Sequence, residues 1–558
     1  MALLLEVLAL FLGTVASLTL MPTVVRLIGR FVGRSVSGRT SQRRELLLER
    51  AASEDRRGKS LSDDTDLPAA GSLPKGSPSS LDEDWEKVHA EFNLPAAGAD
   101  PFFTGIVAFF HPYCNAGGGG ERVLFAAIQA TQQRYPHALC VVYTGDHDAS
   151  KTQILSNART RFNISLNAPR IAFLYLGKRE WVQPSKWPHF TLLGQSLGSI
   201  IIGWEAFNLL VPDLFIDTMG YAFVLALSKW LFPLIPTAAY VHYPTISTDM
   251  LSSLESPVSS EQGLNAGKGT VGLRGVVKRY YWRLFAALYA YAGGSVDIVL
   301  TNSSWTQRHI ASLWGSARRG SCKTRDPVVV YPPCAVEELC DKIQLDDPSE
   351  QSRTRDVLYI AQFRPEKMHS TIIEAFLKFL QTRASTVEPP SNLILLGSVR
   401  DAQDEKLVYK LRLQAQEAKG RIQFVINAKW PQILSLLSTC SVGINGMWNE
   451  HFGIGVVEYQ AAGLISVVND SGGPKEDIVV DIDGQPTGLT FSVDRFADLI
   501  RGFLASNSAQ FSQHIEAALS LSPEETLAMR LRARKSALRF SGDIFEKAWV
   551  KQLDLLVE

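Results

Sequence analysis

The chain has 558 residues, room for roughly two to four domains with sizeable cores. Its 56 Lys and Arg are balanced by 56 Asp and Glu, which argues against a nucleic-acid binder held by bulk positive charge and leaves any anion to a local cluster of cations. At 46% hydrophobic and 20% charged it is neither wholly disordered nor collagen-like, and its apolar balance calls for a search for membrane segments.

Residues 2–25, ALLLEVLALFLGTVASLTLMPTVV, match the roughly 20 residues a helix needs to cross a bilayer. The one charge, Glu6, lies near an end, where it can reach the headgroups. Positive charge follows the run, at Arg26, Arg30, Arg34, Arg39, Arg43 and Arg44, instead of preceding it. That is the pattern of an uncleaved anchor, residues 1–34, with its arginines against anionic lipid and everything after it in the cytosol. Residues 35–100 turn to Ser, Pro, Gly, Ala and alternating charge, with too little apolar surface to offset ordering. They are expected to form a flexible tether, with a short helix around residues 85–92.

Beyond the tether, short apolar runs alternate with helix-sized segments. Strands are expected at 105–110, 139–143, 171–176, 214–217, 238–242 and 296–301, with a helix at 121–134. The pattern restarts after Tyr331-Pro332-Pro333, with strands at 357–361, 393–396, 422–426 and 442–445 and helices at 371–383, 405–418, 431–438 and 455–462. Fully apolar strands separated by helices mean parallel sheets covered on both faces. The expected fold is α/β, with two doubly wound Rossmann-like domains, 101–335 and 336–558, facing a cleft, and a terminal helix able to pack back on the first. Two unusually apolar runs, 190–211 and 222–239, are either core helices or segments dipping into a membrane surface beside Trp181, Trp204 and Trp230. Residues 252–269 are Ser- and Gly-rich, a surface loop. The six cysteines form no Cys-x-x-Cys and are expected as buried thiols in a reducing compartment.

Four motifs carry chemistry. The first strand runs into Gly117-Gly118-Gly119-Gly120-Glu121-Arg122 and then a helix, where backbone N–H groups either meet an anionic ligand or form a flexible turn. The strand at 442–445 leads into a segment with Glu450 in the loop and Glu458 one turn into the helix. Gly453 and Gly455 lie between them, an arrangement suited to a diphosphate joining two hydroxyl-rich groups. His242 follows an apolar strand, and Arg364 and Lys367 follow another.

Together these resemble the retaining family 4 glycosyltransferases, which have the two-domain GT-B fold. Asn449-Glu450-His451-Phe452-Gly453, Glu458 and Ala461-Ala462-Gly463 are similar to that family's Glu-x7-Glu motif, and residues 471–477 to its later Gly-Gly loop. Residues 360–367 resemble its phosphate clamp, with Lys367 in the lysine place but Ala361 and Gln362 where Gly and Arg usually stand. Arg364 is then the candidate second cation. Within the family, HPYCNAGGGGERV, VHYPTIS, QFRPEKMH and MWNEHFGIGVVEYQAAG resemble the GDP-mannose-dependent α-1,2-mannosyltransferases of dolichol-linked oligosaccharide synthesis for N-glycosylation.

The resemblance implies transfer of the fourth and fifth mannoses to Man3GlcNAc2-PP-dolichol, with retention. It implies Glu450, His242 and Lys367 as catalytic, and Gly118, Gly119, Arg364, Lys367, Phe452, Gly453, Ile454 and Glu458 as donor-binding. The first domain then faces acceptor and membrane, and the second binds the nucleotide sugar. No cofactor and no metal are expected besides the GDP-mannose donor. The implied partners are the dolichol-pyrophosphate-linked oligosaccharide, the membrane and other dolichol-pathway mannosyltransferases, with no nucleic acid. The implied location is the cytosolic face of the endoplasmic reticulum membrane. The alternatives are a GT-B enzyme with another donor or acceptor, and a noncatalytic membrane-tethered subunit of this fold.

Overall fold

The computed structural model describes residues 2–63, 103–252, 272–318, 325–346, 352–382, 390–399, 401–480 and 502–558. Thirteen strands among these form two sheets, parallel throughout. In the first, β1 (Ile106–Phe110), β2 (Leu139–Thr144), β3 (Ile171–Tyr175), β4 (Leu214–Asp217), β5 (Thr237–Val241), β6 (Ile298–Thr301) and β7 (Val328–Val329) run in the order β3-β2-β1-β4-β5-β6-β7. In the second, β8 (Val357–Ile360), β9 (Leu393–Gly397), β10 (Ile422–Ile426), β11 (Val442–Asn445), β12 (Ile465–Asn469) and β13 (Gly502–Ala505) run β10-β9-β8-β11-β12-β13.

Both sheets are buried on two faces at their centres, where the strands read as apolar runs, while β3, β7 and β10 at the edges are only partly buried. Along β1, Ile106, Ala108 and Phe110 enter one core and Val107 and Phe109 another. Each sheet reverses its winding once, between β1 and β4 and between β8 and β11. Crevices open at the carboxyl ends of strands at such points, and they decide where the site lies.

The helices that matter are α1 (Ala2–Asp63), α2 (Gly119–Arg134), α3 (Thr191–Leu209), α4 (Ala222–Leu231), α5 (Gly272–Gly294), α6 (Ile454–Ala462) and α7 (Gly542–Val557). The last, α7, is started by Ser541, whose hydroxyl accepts from the Ile544 N–H. It packs on α2: Phe545 and Trp549 fill the first sheet's core, the Trp549 indole donates to Thr131 Oγ1, and Asp554 accepts from Arg134 and Tyr135 at 2.8 Å each.

The N-terminal region departs from expectation. Residues 35–63, read as the start of a tether, continue α1, with Val36 and Ala51 buried against the first domain. Arg44 pairs with Asp213 at 2.7 Å, Arg43 donates to the Leu209 carbonyl at 2.6 Å, and Asp55 pairs with Arg170. Arg43 and Arg44 are therefore bound to protein rather than set against lipid. Polar composition concealed a helix whose charges have specific partners.

A close crossing secures α1 to α4. A Cβ on Gly33 would lie 2.1 Å from the Leu231 carbonyl oxygen, and one on Gly29 2.6 Å from that of Trp230. Among the described residues, no helix is long and apolar enough to cross a membrane. The rest of the expected tether with its short helix, and the surface loop from residue 253 on, lie outside the described residues.

The two apolar runs form α3 and α4 followed by β5. Ile202, Ala206 and Phe207 of α3, and Val224 and Leu225 of α4, are in the core, while Trp204 and Trp230 stay partly exposed. Trp181 meets Trp187 at a tilt, with 5.9 Å between ring centres. Five cysteines, Cys114, Cys140, Cys334, Cys340 and Cys440, are free thiols, and Cys322 lies outside the described residues.

Candidate active site

In the second domain the switch point brings together two loops distant in sequence, the one after β8 and the one after β11. Lys367 comes from the first and Glu450 from the second. The Lys367 ammonium donates to Glu450 Oε2 at 2.5 Å and approaches Met447 Sδ at 3.0 Å, and the Asn445 amide lies 3.5 Å from the same carboxylate oxygen. Burial pushes the Glu450 carboxyl up, but Lys367, His451 and the hydrogen bonds from Lys367 and Asn445 outweigh it, leaving it below its ordinary value. Glu450 is thus a carboxylate at neutral pH, an acceptor for hydroxyl groups. Arg364, three residues before Lys367, lies 3.7 Å from Glu366.

The Glu450 loop is held by the Gly-Gly turn beyond β12. Gly473 N–H donates to the Glu450 carbonyl at 2.8 Å, and a Cβ on Gly472 would meet that oxygen at 2.3 Å. Gly453 caps α6 at φ 106°, a conformation open to glycine, and turns the helix N-terminus toward the crevice. The Phe452 side chain points the other way, into Tyr331 and Phe540. Any ligand contact at Phe452 therefore runs through its backbone.

On the first domain, the loop after β1 carries the glycine run. Gly118 N–H donates to Glu121 Oε2 at 2.8 Å, shaping the start of α2. A Cβ on Gly119 would lie 2.7 Å from Ile454 Cδ1, so the glycine loop rests on the first turn of α6 across the cleft. A Cβ on Gly120 would stand 3.7 Å from His242 Nε2. His242 hydrogen bonds the Thr218 backbone through its other nitrogen, while Nε2 is buried without a partner. Burial pushes its pKa down to about 4, and burial together with His242 pushes that of neighbouring His111 down to about 3. Both rings are neutral at pH 7, and His242 Nε2 is an acceptor facing the glycine loop.

Contacts across the cleft include motif residues that were given no role of their own in the site. Arg122, one turn into α2, pairs with Glu458 of α6 at 3.5 Å. Burial raises the Glu458 carboxyl, and Arg122 opposes the rise. Asn449 Nδ2 donates to Asp249 Oδ2 at 2.7 Å, and His451 stacks on Tyr243 with ring centres 4.1 Å apart. Asp477 accepts from Ser304 N–H at 2.9 Å, Ser304 Oγ at 2.5 Å and Tyr331 OH at 2.9 Å. A polar cavity of about 430 Å³ lies along this seam, lined by Thr248, Asp249, Trp305, His309, Trp448 and Asn449 among others. Arg122 closes the glycine-run motif, and its pairing with Glu458 is what the sequence did not show. Asp249 carries no periodic or motif signal, while His309 lies on the buried face of the helix Ser304–Arg318, in line with Trp305 and Leu313. Among the described residues, no group of three or more His, Cys, Asp or Glu side chains is placed to hold a metal ion.

Comparison with known proteins adds to this geometry. Residues 104–314 match the family model described as ALG11 mannosyltransferase N-terminus, and residues 342–519 that described as glycosyl transferases group 1. A Neurospora crassa protein named GDP-Man:Man(3)GlcNAc(2)-PP-Dol alpha-1,2-mannosyltransferase is 52% identical over 549 residues, covering 96% of this chain and 94% of that protein. A Mus musculus protein of the same name is 44% identical, covering 81% and 87% respectively. Among solved structures, the N-terminal domain of Candida albicans trehalose-6-phosphate phosphatase aligns with TM-score 0.58 at 11% identity, over 83% of this chain and 99% of that one. The alpha,alpha-trehalose 6-phosphate synthase of Burkholderia multivorans aligns with TM-score 0.56 at 12% identity, over 82% and 99%. At such identities the likeness is one of fold, and the fold is GT-B-like.

Proposed function

The chain belongs to the family of GDP-Man:Man(3)GlcNAc(2)-PP-Dol alpha-1,2-mannosyltransferases, and from that premise we propose how its own residues perform the transfer. It is a hexosyltransferase with GDP-mannose as donor and Man(3)GlcNAc(2)-PP-dolichol as acceptor. In our reading it adds the fourth and fifth mannoses, each with retention of configuration.

The observation that carries the residue assignment is the Lys367–Glu450 pair at the switch point, beside the N-terminus of α6. With donor in the cleft, Lys367 faces the diphosphate, Arg364 supplies the second cation, and the backbone around Gly453 and Ile454 supplies N–H donors. Glu450 accepts from mannose hydroxyls and Glu458 from the ribose. From the first domain, Gly118 and Gly119 approach the diphosphate and His242 Nε2 accepts a sugar hydroxyl. Phe452 fixes the loop from behind.

As the bond from mannose C1 to the phosphate oxygen breaks, positive charge grows on the sugar ring and negative charge on GDP. The acceptor hydroxyl forms the new bond on the same face, and its proton passes to the departing phosphate oxygen. Charge-assisted hydrogen bonds of about 1.5–3 kcal/mol each, two or three of them, account for a few powers of ten in rate with no metal in the scheme.

We further propose that the enzyme works on the cytosolic face of the endoplasmic reticulum membrane, beside other mannosyltransferases of the pathway. The support is the apolar start of α1 and a row of outward side chains on α5. Tyr280, Leu284 and Tyr291 of that row are 72%, 62% and 80% exposed, with Val277 and Leu288 in line at helical spacing. Lys367→Ala and Glu450→Gln test the assignment: each is expected to lower turnover of GDP-mannose about a hundredfold or more while circular dichroism stays unchanged. Normal transfer by either folded variant contradicts it.

A further inference from the structure

Two hollows meet at the single helical turn Thr248–Ser252. One is the polar seam cavity, reached by Thr248 and Asp249. The other, of about 600 Å³, is apolar and opens on the first domain between α3 and α5, walled by Phe190, Leu192, Met250, Val277, Tyr281 and Trp282. Its volume falls within the range of about 300–1,000 Å³ usual for small-molecule sites.

The groove and the seam cavity are walled from opposite ends of one turn, Met250 on the groove and Thr248 and Asp249 on the cavity. The Tyr243 hydroxyl approaches Met250 Sδ at 3.8 Å, and the Tyr243 ring stacks on His451, next to Glu450. Lys278 is the cation on the groove wall, its ammonium 4.9 Å from the centre of the Trp282 ring. Along α5, Val277 is both part of the groove wall and the first residue of the exposed apolar row, so the groove opens where that row begins. An apolar groove with a cation on its wall, set beside a polar chamber, matches a molecule that is hydrocarbon at one end, diphosphate in the middle and sugar at the other.

We propose that this groove binds the isoprene units of the acceptor nearest its pyrophosphate, while the seam cavity receives its mannoses. The inference rests on the acceptor stated above and goes beyond it by giving the lipid its own subsite. Lys278 lies on the path of the pyrophosphate, and the Thr248–Ser252 turn is the saddle over which the acceptor passes from lipid to sugar.

The test uses the full chain in detergent micelles, with two synthetic acceptors that share the glycan and diphosphate but carry either a phytanyl or a short alkyl chain. Val277→Glu and Met250→Gln are expected to raise KM for the phytanyl acceptor about tenfold, the loss of burying roughly two methylene groups. Their KM for the short-chain acceptor and for GDP-mannose stays at the wild-type value. Leu284→Glu, on the exposed row outside the groove, leaves the ratio of the two acceptor KM values unchanged. As a measurement independent of variants, a diazirine-bearing isoprenoid diphosphate is expected to label peptides containing Met250 or residues 277–282 of the wild-type protein.

Variants that keep the wild-type KM ratio, or labelling confined to other surfaces, overturn the groove assignment alone. A wild-type protein that transfers to neither acceptor overturns the acceptor reading, and the groove assignment with it.

Discussion

At the scale of single residues, the site is a set of buried polar groups whose protonation is set by their surroundings. His111, His242 and His451 are pushed from 6.5 to about 3, about 4 and about 4, with burial the largest cause in each case. A histidine held neutral in the fold but titrating normally when unfolded leaves stability intact above about pH 6.5. That stability is lost as the pH falls through the window from about 6.5 to 4, because the unfolded chain takes up the protons first. Thermal melts across this window are expected to show a steep fall in Tm, made shallower by His242→Gln, which removes one shifted group worth on the order of 3 kcal/mol at full effect. An unchanged slope in that variant contradicts the account.

Glu450, Lys367 and His242 were legible as residues because each sits in a dense motif. Their meeting was less so. Lys367 and Glu450 are 83 positions apart and touch because β8 and β11 are neighbours, a consequence of strand order that spacing cannot express. Asp249 acts from a five-residue helix too short to show a hydrophobic period, and His309 from the buried face of a longer one, where a histidine reads as core.

At the scale of elements, most strands were readable because their faces are buried, and the half-exposed edge strand β10 was readable as well. The strand expected at 105–110 runs Ile106–Phe110, and those expected at 214–217, 422–426 and 442–445 have these bounds. The two-residue β7 gives too short a run to stand out. The most consequential difference is α1, whose polar second half holds its place through paired charges and the close glycine crossing instead of a broad apolar face. Gly33→Leu forces a side chain into the Leu231 backbone, and relief requires α1 to lift from α4. Limited trypsin digestion of the purified variant is expected to cut among Arg34, Arg39, Arg43 and Arg44 at least several times faster than in wild type, with the two sheet domains intact. Equal cleavage rates contradict the packing argument.

At the scale of the whole molecule, net charge zero is the sum of unlike regions. Arg43 and Arg44 of α1 hold the first domain, and in our reading the cations at the switch point serve a diphosphate. The two domains are joined by Asp477, by Arg122–Glu458 and by α7, which starts in the second half and packs into the core of the first. The acceptor shares a membrane with the enzyme in our reading, so substrate search is confined to two dimensions and the soluble donor enters from the open side. Trypsin added to sealed microsomes bearing the protein is expected to digest both sheet domains without detergent, and protection of either contradicts the cytosolic orientation.

The central claim is that the Lys367–Glu450 cleft moves mannose from GDP-mannose to a lipid-linked Man3GlcNAc2. The most direct measurement incubates the purified full-length chain with GDP-mannose and phytanyl-pyrophosphate-linked Man3GlcNAc2, and reads the products by mass spectrometry before and after an α-1,2-specific mannosidase. The account predicts products one and two hexoses heavier, both trimmed back by the mannosidase and both absent with Glu450→Gln. Release of UDP from a UDP-sugar with no product from GDP-mannose, or products that resist the mannosidase, would contradict it.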